Sequence, residues 1–332
     1  MKAVLERLFQ RRLLFVAGKG GVGKTTTACV LALIASQSGK RTLLAEVDGA
    51  GRAAYLLGVE PAPIGLPRQV GPSLSVMSLE GSAALAEYLQ IILPVKRVLQ
   101  AVFSSRIYKY FVAAAPGLKE LMTIGKIWYE ADRLEESGKR RLWDLVIVDA
   151  PATGHSLQYL RMPYAAHQAF GDGLVGRESK RIVDLLVDPH LTAVNLVTTA
   201  EEMPVNETCE MYQQLREQLR MPLGVLFVNR VHEADFDARH LDTLERRLPK
   251  VYDARERALA TEVLNRGREE SGWASINQRY RSRLAEEIPL PRVEVPFVFA
   301  EEFGLPQVHE ILRAVIAARG RTPSRGGAHG RA

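Results

Sequence analysis

Cysteine is nearly absent. The 332 residues hold only two, Cys29 and Cys209, far apart in sequence and outside any CxxC or Cys/His grouping. That excludes the local ligand spacings of zinc and iron–sulfur sites, and it suits a reducing compartment. No stretch approaches the ~20 consecutive apolar residues that a membrane-spanning helix needs. The opening MKAVLERLFQRR is a short amphipathic lead-in without the apolar centre of a secretory signal. The expected location is therefore cytoplasmic, with peripheral membrane contact left open. Charge of one sign is also scarce over the body of the chain. The net charge is +6, and four of its arginines (Arg319, Arg321, Arg325 and Arg331) lie in the last segment, so removing those four charges leaves +2. The basic balance belongs mostly to the tail, and nucleic acid is not an expected partner. That tail, residues 319–332, is rich in Gly, Arg and Pro without periodicity and is expected to be disordered. It lacks the apolar bulk of a membrane-binding terminal helix.

What is present is an ordinary globular composition, 47% hydrophobic and 25% charged, over a chain long enough to bury a large core. Apolar runs at 12–17 (RLLFVA), 42–47 (TLLAEV), 142–148 (LWDLVIV), 192–198 (TAVNLVT), 223–228 (LGVLFV) and 293–298 alternate with helical patterns. Uniformly apolar strands separated by helices predict an α/β fold with a mostly parallel, doubly wound sheet covered on both faces. Two stretches break the rhythm: a helical insertion at about 82–138, too long for a simple crossover, and a charged segment at about 254–287 that reads as a helical pair or one long helix. The expectation is one domain over 1–318, with the insertion forming a helical subdomain and 319–332 the tail.

Between the first strand and first helix lies Gly18-Lys19-Gly20-Gly21-Val22-Gly23-Lys24-Thr25-Thr26. It satisfies G-x-x-x-x-G-K-[ST] in the strand–loop–helix context that this phosphate-binding motif requires. Glycines let successive backbone N–H groups and the helix N-terminus face an anion. Lys24 can reach the β- and γ-phosphates of ATP, and the Thr25 hydroxyl can ligate Mg²⁺. The chain is thus expected to be a P-loop NTPase, an ATPase with ATP and Mg²⁺ as its cofactors. Lys19 is an extra feature: KGGVGKTT resembles the deviant Walker A form of the MinD, ParA, nitrogenase iron-protein and ArsA group. That resemblance implies a lysine reaching across a dimer interface to the partner's nucleotide, so that hydrolysis depends on closure.

Asp149 ends the strand LVIVD, where a Walker B carboxylate binds Mg²⁺ through water. Asp48 ends TLLAEVD, and neighbouring parallel strand ends lie near the P-loop. From Asp149 onward, DAPATGHSLQYLRMP resembles, without gaps, the switch II pattern D-x-x-P-T-G-H-T-L-R-x-L-x-x-P of the ArsA and tail-anchored-protein-targeting ATPase family. The Asp149, Thr153, Gly154, His155, Leu157 and Pro163 positions match. Departures are proline at 151 rather than 152, Ser156 for Thr and Gln158 for Arg. Three further segments are similar to family motifs: Pro116-Gly117-Leu118-Lys119-Glu120, Glu202-Met203-Pro204-Val205-Asn206-Glu207-Thr208 and Val295-Pro296-Phe297. The resemblance implies that Asp48 in switch I polarises the attacking water, that the Asn229 amide reads adenine, and that the loop of Pro296 and Phe297 packs on it. It leaves His155 either a nucleotide-sensing residue or a structural one. Asp48-Gly49-Ala50 stands where the family has Asp-Pro-Ala, and glycine loosens that turn.

Within the family, a soft-metal site needs thiolates, whereas Cys29 and Cys209 lie in separate helical patterns and read as small buried residues. This is a form without the cysteine metal sites. In the targeting branch the helical insertion builds a groove for a client's transmembrane helix. Here residues 83–129 carry many apolar side chains but only one methionine, Met122, and they read either as client groove or as plain core. The function expected is a dimeric switch, with itself or with a related ATPase, that captures or releases a partner such as a hydrophobic protein segment. The alternatives are a ParA/MinD-like positioning ATPase acting on DNA or a membrane surface, and a small-molecule kinase.

Overall fold

The computed structural model describes residues 2–92, 117–232, 238–250 and 253–317. Fully buried runs form the middle of the sheet: β1 (Leu13–Ala17), β2 (Thr42–Val47), β5 (Leu145–Asp149) and β6 (Thr192–Thr199) are buried at every residue. β7 (Leu223–Val231) and β8 (Arg292–Pro296) continue it on one side, and β3 (Arg68–Gly71) and β4 (Leu74–Leu79) on the other. The order is β3-β4-β2-β5-β1-β6-β7-β8. Every pairing is parallel except β3 against β4.

Alternate residues of each strand feed two separate cores, as the twofold period of a strand demands. Leu13, Phe15 and Ala17 face α5 (Leu118–Asp132), α6 (Thr153–Phe170), α7 (Leu174–Val187), α8 (Glu202–Gln213) and the C-terminal part of α10 (Ala254–Glu287). Leu14 and Val16 face α1 (Lys2–Leu8), α2 (Lys24–Gln37), α3 (Arg52–Leu56) and α11 (Leu305–Ala317). The sheet is therefore doubly wound. α4 (Gly81–Ile92) packs on α5, and α9 (Ala238–Arg247) on α10. The charged segment at 254–287 is one continuous helix of 34 residues, capped by the Asp253 carboxylate, which accepts from the Arg255 and Glu256 amides.

Two local readings are corrected. The strand expected at 142–148 begins only at Leu145. Residue 144 is drawn out of the run because its carboxylate accepts from the Arg41 amide at 2.9 Å and from Arg41 Nε at 3.0 Å. The strand expected at 293–298 ends at Pro296, where the chain turns off to form part of a cavity described below. The insertion at 82–138 includes α4 and α5, with residues 93–116 outside the described ones, as are residues 319–332 of the tail.

At the centre, Asn195 of β6 is fully buried. Its Nδ2 donates to the Phe15 carbonyl of β1 at 3.2 Å, and its Oδ1 accepts from the Val225 amide of β7 at 3.0 Å. It stands where the β6–β7 register shifts, between Val194 and Leu196, so its Oδ1 takes up the Val225 amide on the β7 side, where the ladder is irregular. Asn195→Leu leaves the buried Val225 amide unpaired and is expected to lower stability by about 1–3 kcal/mol. Urea unfolding checks this: the midpoint falls with an unchanged slope, and an unchanged midpoint refutes it.

Candidate functional site

β1 ends between β5 and β6, with Val16 opposite Asp149 and Ala17 opposite Leu196. From there the chain leaves for β2 on one side of β5 and later returns to β6 on the other. Such a switch point opens a crevice at the carboxyl ends of the strands. The P-loop occupies it. Gly23, the N-cap of α2, is left-handed at φ 93°, and α2 has no side-chain cap, so its first amides are available to an anion. The Asn229 amide donates to the Val22 carbonyl at 2.9 Å, and a Cβ on Gly23 would overlap that amide. Glycine is needed there both for its backbone angle and for its missing side chain.

The two lysines of the loop face different surroundings. Lys24 Nζ donates to the Lys19 carbonyl at 3.0 Å, and burial lowers its pKa while the charge of Asp149 opposes that shift. Lys19 instead points to α8, with Nζ 2.7 Å from the Glu207 carboxylate and 3.2 Å from Met203 Sδ. The Thr25 hydroxyl donates to Asp149 Oδ2 at 2.6 Å. Asp149 is buried and its Oδ1 has no hydrogen-bond partner. Burial pushes its carboxyl up to about 7, against the Thr25 hydrogen bond and the Lys24 charge. A hydroxyl, a carboxylate and an orphaned buried oxygen suit a hard cation that prefers oxygen ligands, so these residues fit Mg²⁺.

On the other flank, Gly23, Thr26, Arg52, Asn229, Pro296 and Phe297 line one cavity of about 280 Å³. Thr26, Asn229 and the adjacent Pro296 and Phe297 come from three points of the sequence and meet here. Phe297 stacks on His232 with ring centroids 4.6 Å apart. The His232 amide donates to Asn277 on α10 at 3.0 Å, which ties that long helix to the end of β7.

Asp48 follows β2 with φ 53°, and Arg230, on the strand that carries Asn229, has the same angle. Non-glycine residues rarely adopt this conformation, and it concentrates at working sites. The Asp48 carboxylate accepts from the Tyr159 hydroxyl on α6, whereas it is Asp149 that meets the Thr25 hydroxyl. The glycine at position 49 has a local reason. The Glu46 carboxylate folds beneath the turn to accept from the Arg52 and Ala53 amides at 3.0 and 3.3 Å, and a Cβ at 49 would overlap it. The backbone of Thr153, Gly154 and His155 opens α6, and their side chains lie outside the described residues. Sequence reasoning missed Tyr159 and Arg52. The first fills an unspecified position of the switch II pattern, and no motif covers the second. Cys29 and Cys209 are both buried. Burial pushes both thiols up, Cys209 to about 12, so neither offers a thiolate near neutral pH.

The family model for anion-transporting ATPases of the ArsA type matches residues 11–175. The chain is 31% identical over 310 residues to the ATPase BagA of Mycobacterium tuberculosis, across 88% of this chain and 89% of that protein. It is 28% identical over 221 residues to the arsenical pump-driving ATPase of Escherichia coli, across 61% of this chain and 36% of that protein. It is 25% identical over 259 residues to the ATPase GET3 of Kluyveromyces lactis, across 68% and 74%. The chain belongs to the ArsA ATPase family.

The Asp149 carboxyl moves from an ordinary 3.8 to about 7 on folding. Between those values the folded state keeps a proton that the unfolded chain has lost, so this group's contribution to stability falls as pH rises and levels off above 7. Relative to Asp149→Asn, the ligand-free protein is expected to lose on the order of a few °C in melting temperature between pH 5 and 7.5. Calorimetry of both proteins checks this, and parallel pH profiles would refute it.

Proposed function

We propose that this ATPase works as a Mg²⁺-dependent dimeric switch, in which ATP is held by Gly18, Gly20, Gly21, Val22, Gly23, Lys24, Thr25 and Thr26 and the Lys19 ammonium acts on the nucleotide of a second subunit. The observation that carries this reading is the division of labour between the two lysines. Lys24 closes inward over its own loop, while Lys19 extends outward to α8 and leaves its own phosphate cradle untouched. A cation supplied from outside makes hydrolysis conditional on assembly. Bound Mg²⁺, held by the Thr25 hydroxyl and through water by Asp149, would neutralise charge developing on the phosphates. Asp48 orients water for in-line attack, and Asn229 with Pro296 and Phe297 receives the adenine.

The output proposed is capture or release of a hydrophobic protein segment. A cavity of about 350 Å³ opens between α4, α5 and α7, lined mainly by Leu121, Met122, Trp128, Tyr129, Val175 and Ile182. Apolar grooves of this kind accept the side chains of a hydrophobic or amphipathic helix. Lys126 at its edge is held by Glu87 at 2.7 Å and by Glu130 at 3.0 Å, so little free charge opposes an apolar occupant. The partner subunit is a second copy or a related chain. With no helix among the described residues long and apolar enough to cross a membrane, a cytoplasmic location is part of the proposal. The buried, protonated thiols argue against an arsenite cargo.

Light scattering with Mg-ADP and with a non-hydrolysable ATP analogue tests the switch. The analogue is expected to give a dimer, or a more compact one, and Lys19→Ala to weaken or abolish that change. A monomer in every state would refute the homodimer. Lys24→Ala is expected to lower turnover at least about 100-fold, as losing a main electrostatic stabiliser does.

A further inference from the structure

We propose that Tyr159 is a positioning residue for Asp48, its phenol fixing the switch I carboxylate against the switch II helix and the helical subdomain. The inference rests on the reading of Asp48 as the residue that orients water. The Tyr159 hydroxyl donates to Asp48 Oδ2, joining residues 111 positions apart that no motif connects. Tyr159 itself is buried, and its ring belongs to the core that also contains Ile124, Ile127 and Leu160. A phenol anchored on that core is a fixed donor, whereas Asp48 stands at the surface on a short loop. Fixing a mobile acceptor with a rigid donor is how a supporting residue sets a reacting group.

The backbone at Asp48 makes such support necessary. A non-glycine residue at φ 53° sits in a conformation that costs about 1–2 kcal/mol and persists only where its surroundings hold it. Two contacts are available. The Asp48 amide donates to the Leu79 carbonyl at 2.9 Å, which secures the backbone, and the Tyr159 hydrogen bond secures the side chain. Gly49 follows directly, without the stiffness of proline, so the side-chain bond carries more of the ordering than the turn does.

The same phenol reaches a third element. Its ring packs in one core with Ile124 and Ile127 of α5, and the fully buried Thr123 beside them donates through Oγ1 to the Lys119 carbonyl at 2.9 Å. One side chain thereby joins three segments: switch I through its hydroxyl, the helix that begins in switch II, and through its ring the helix that forms one wall of the apolar cavity. Burial and the Asp48 carboxylate both hold the phenol in its protonated, donating form. Movement of α6 is thereby passed to Asp48 through the Tyr159 hydrogen bond, and to α5 through the packed ring.

Tyr159→Phe keeps the ring and removes only the donor. With ATP and Mg²⁺, kcat is expected to fall about tenfold while the KM for ATP stays within about twofold, since the phosphates are held elsewhere and only alignment is lost. In an Asp48→Asn background the same substitution is expected to cause no further loss, because the carboxylate it positions is gone. Tyr164→Phe is the control. Its hydroxyl on the same helix donates to the Leu219 carbonyl at 2.8 Å, far from Asp48 in the network, so it is expected to lower stability and leave kcat alone. Hydrogen exchange without nucleotide gives a readout independent of turnover: amides 48–53 are expected to exchange faster in Tyr159→Phe and unchanged in Tyr164→Phe. A wild-type kcat in Tyr159→Phe, losses that multiply with Asp48→Asn, or unaltered exchange would each overturn the proposal. A wild-type protein that hydrolyses no ATP would instead defeat the ATPase switch, and the exchange data would still decide the clamp.

Discussion

The hydrogen bond from the Thr25 hydroxyl to the Asp149 carboxylate joins the first turn of α2 to the end of β5, and the geometry of the crevice follows from it. Asp149 is 5% exposed with one oxygen unpartnered, an arrangement that would be costly if the group stayed fully ionised. The protein answers by letting the carboxyl hold a proton up to about pH 7. A divalent cation arriving with its anion would favour the carboxylate form and release that proton. Burying Asp149 is a direct result of placing it on a central strand, between β1 and β2.

Lysine 24 completes that balance from the other side. Burial lowers its pKa, so Lys24 and Asp149 are both less stable as ions here than they would be in water. Together with the uncapped amides of α2, this describes a site whose polar groups are only partly satisfied without an anion. Asn229 contributes differently. By holding the Val22 carbonyl it fixes the loop to β7, and it does so next to the cavity where Pro296 and Phe297 gather. Loop shape and the wall of that cavity thus share one side chain.

Much of this was legible in the sequence because central strands of a doubly wound sheet are buried on both faces and read as unbroken apolar runs. β1, β2, β5 and β6 announced themselves in that way. The β3–β4 hairpin did not. Its strands lie at the sheet edge with mixed exposure, β3 having no buried residue at all, so neither a continuous run nor a clean alternation survives. The P-loop and Asp149 were legible because their chemistry depends on residues close in sequence or on a strand end. Tyr159 was not, because its partner is 111 positions away and a tyrosine on a helix ordinarily signals core. Gly49 looked like a loosened turn and proves to be the space that the buried Glu46 side chain requires. That reason could not be seen without knowing that Glu46 turns back under its own strand end.

The exposed side of the loop raises a question of magnitude. Lys19 and Glu207 form an ion pair at 2.7 Å, with side chains 25% and 38% exposed. Pairs of that exposure contribute about 0–1 kcal/mol once solvent screening is counted. Detaching Lys19 from α8 is therefore cheap, in contrast to disturbing Thr25 or Lys24, whose polar atoms have little water to turn to. For the proposed contact in trans this is the favourable arrangement. A competing carboxylate keeps the ammonium from wandering while the subunits are apart. A phosphate group, with more charge and three acceptor oxygens, outbids one carboxylate as soon as it comes within reach. The closing step then needs only the difference between two partners for the same ammonium, and a small difference keeps it reversible when the γ-phosphate is lost.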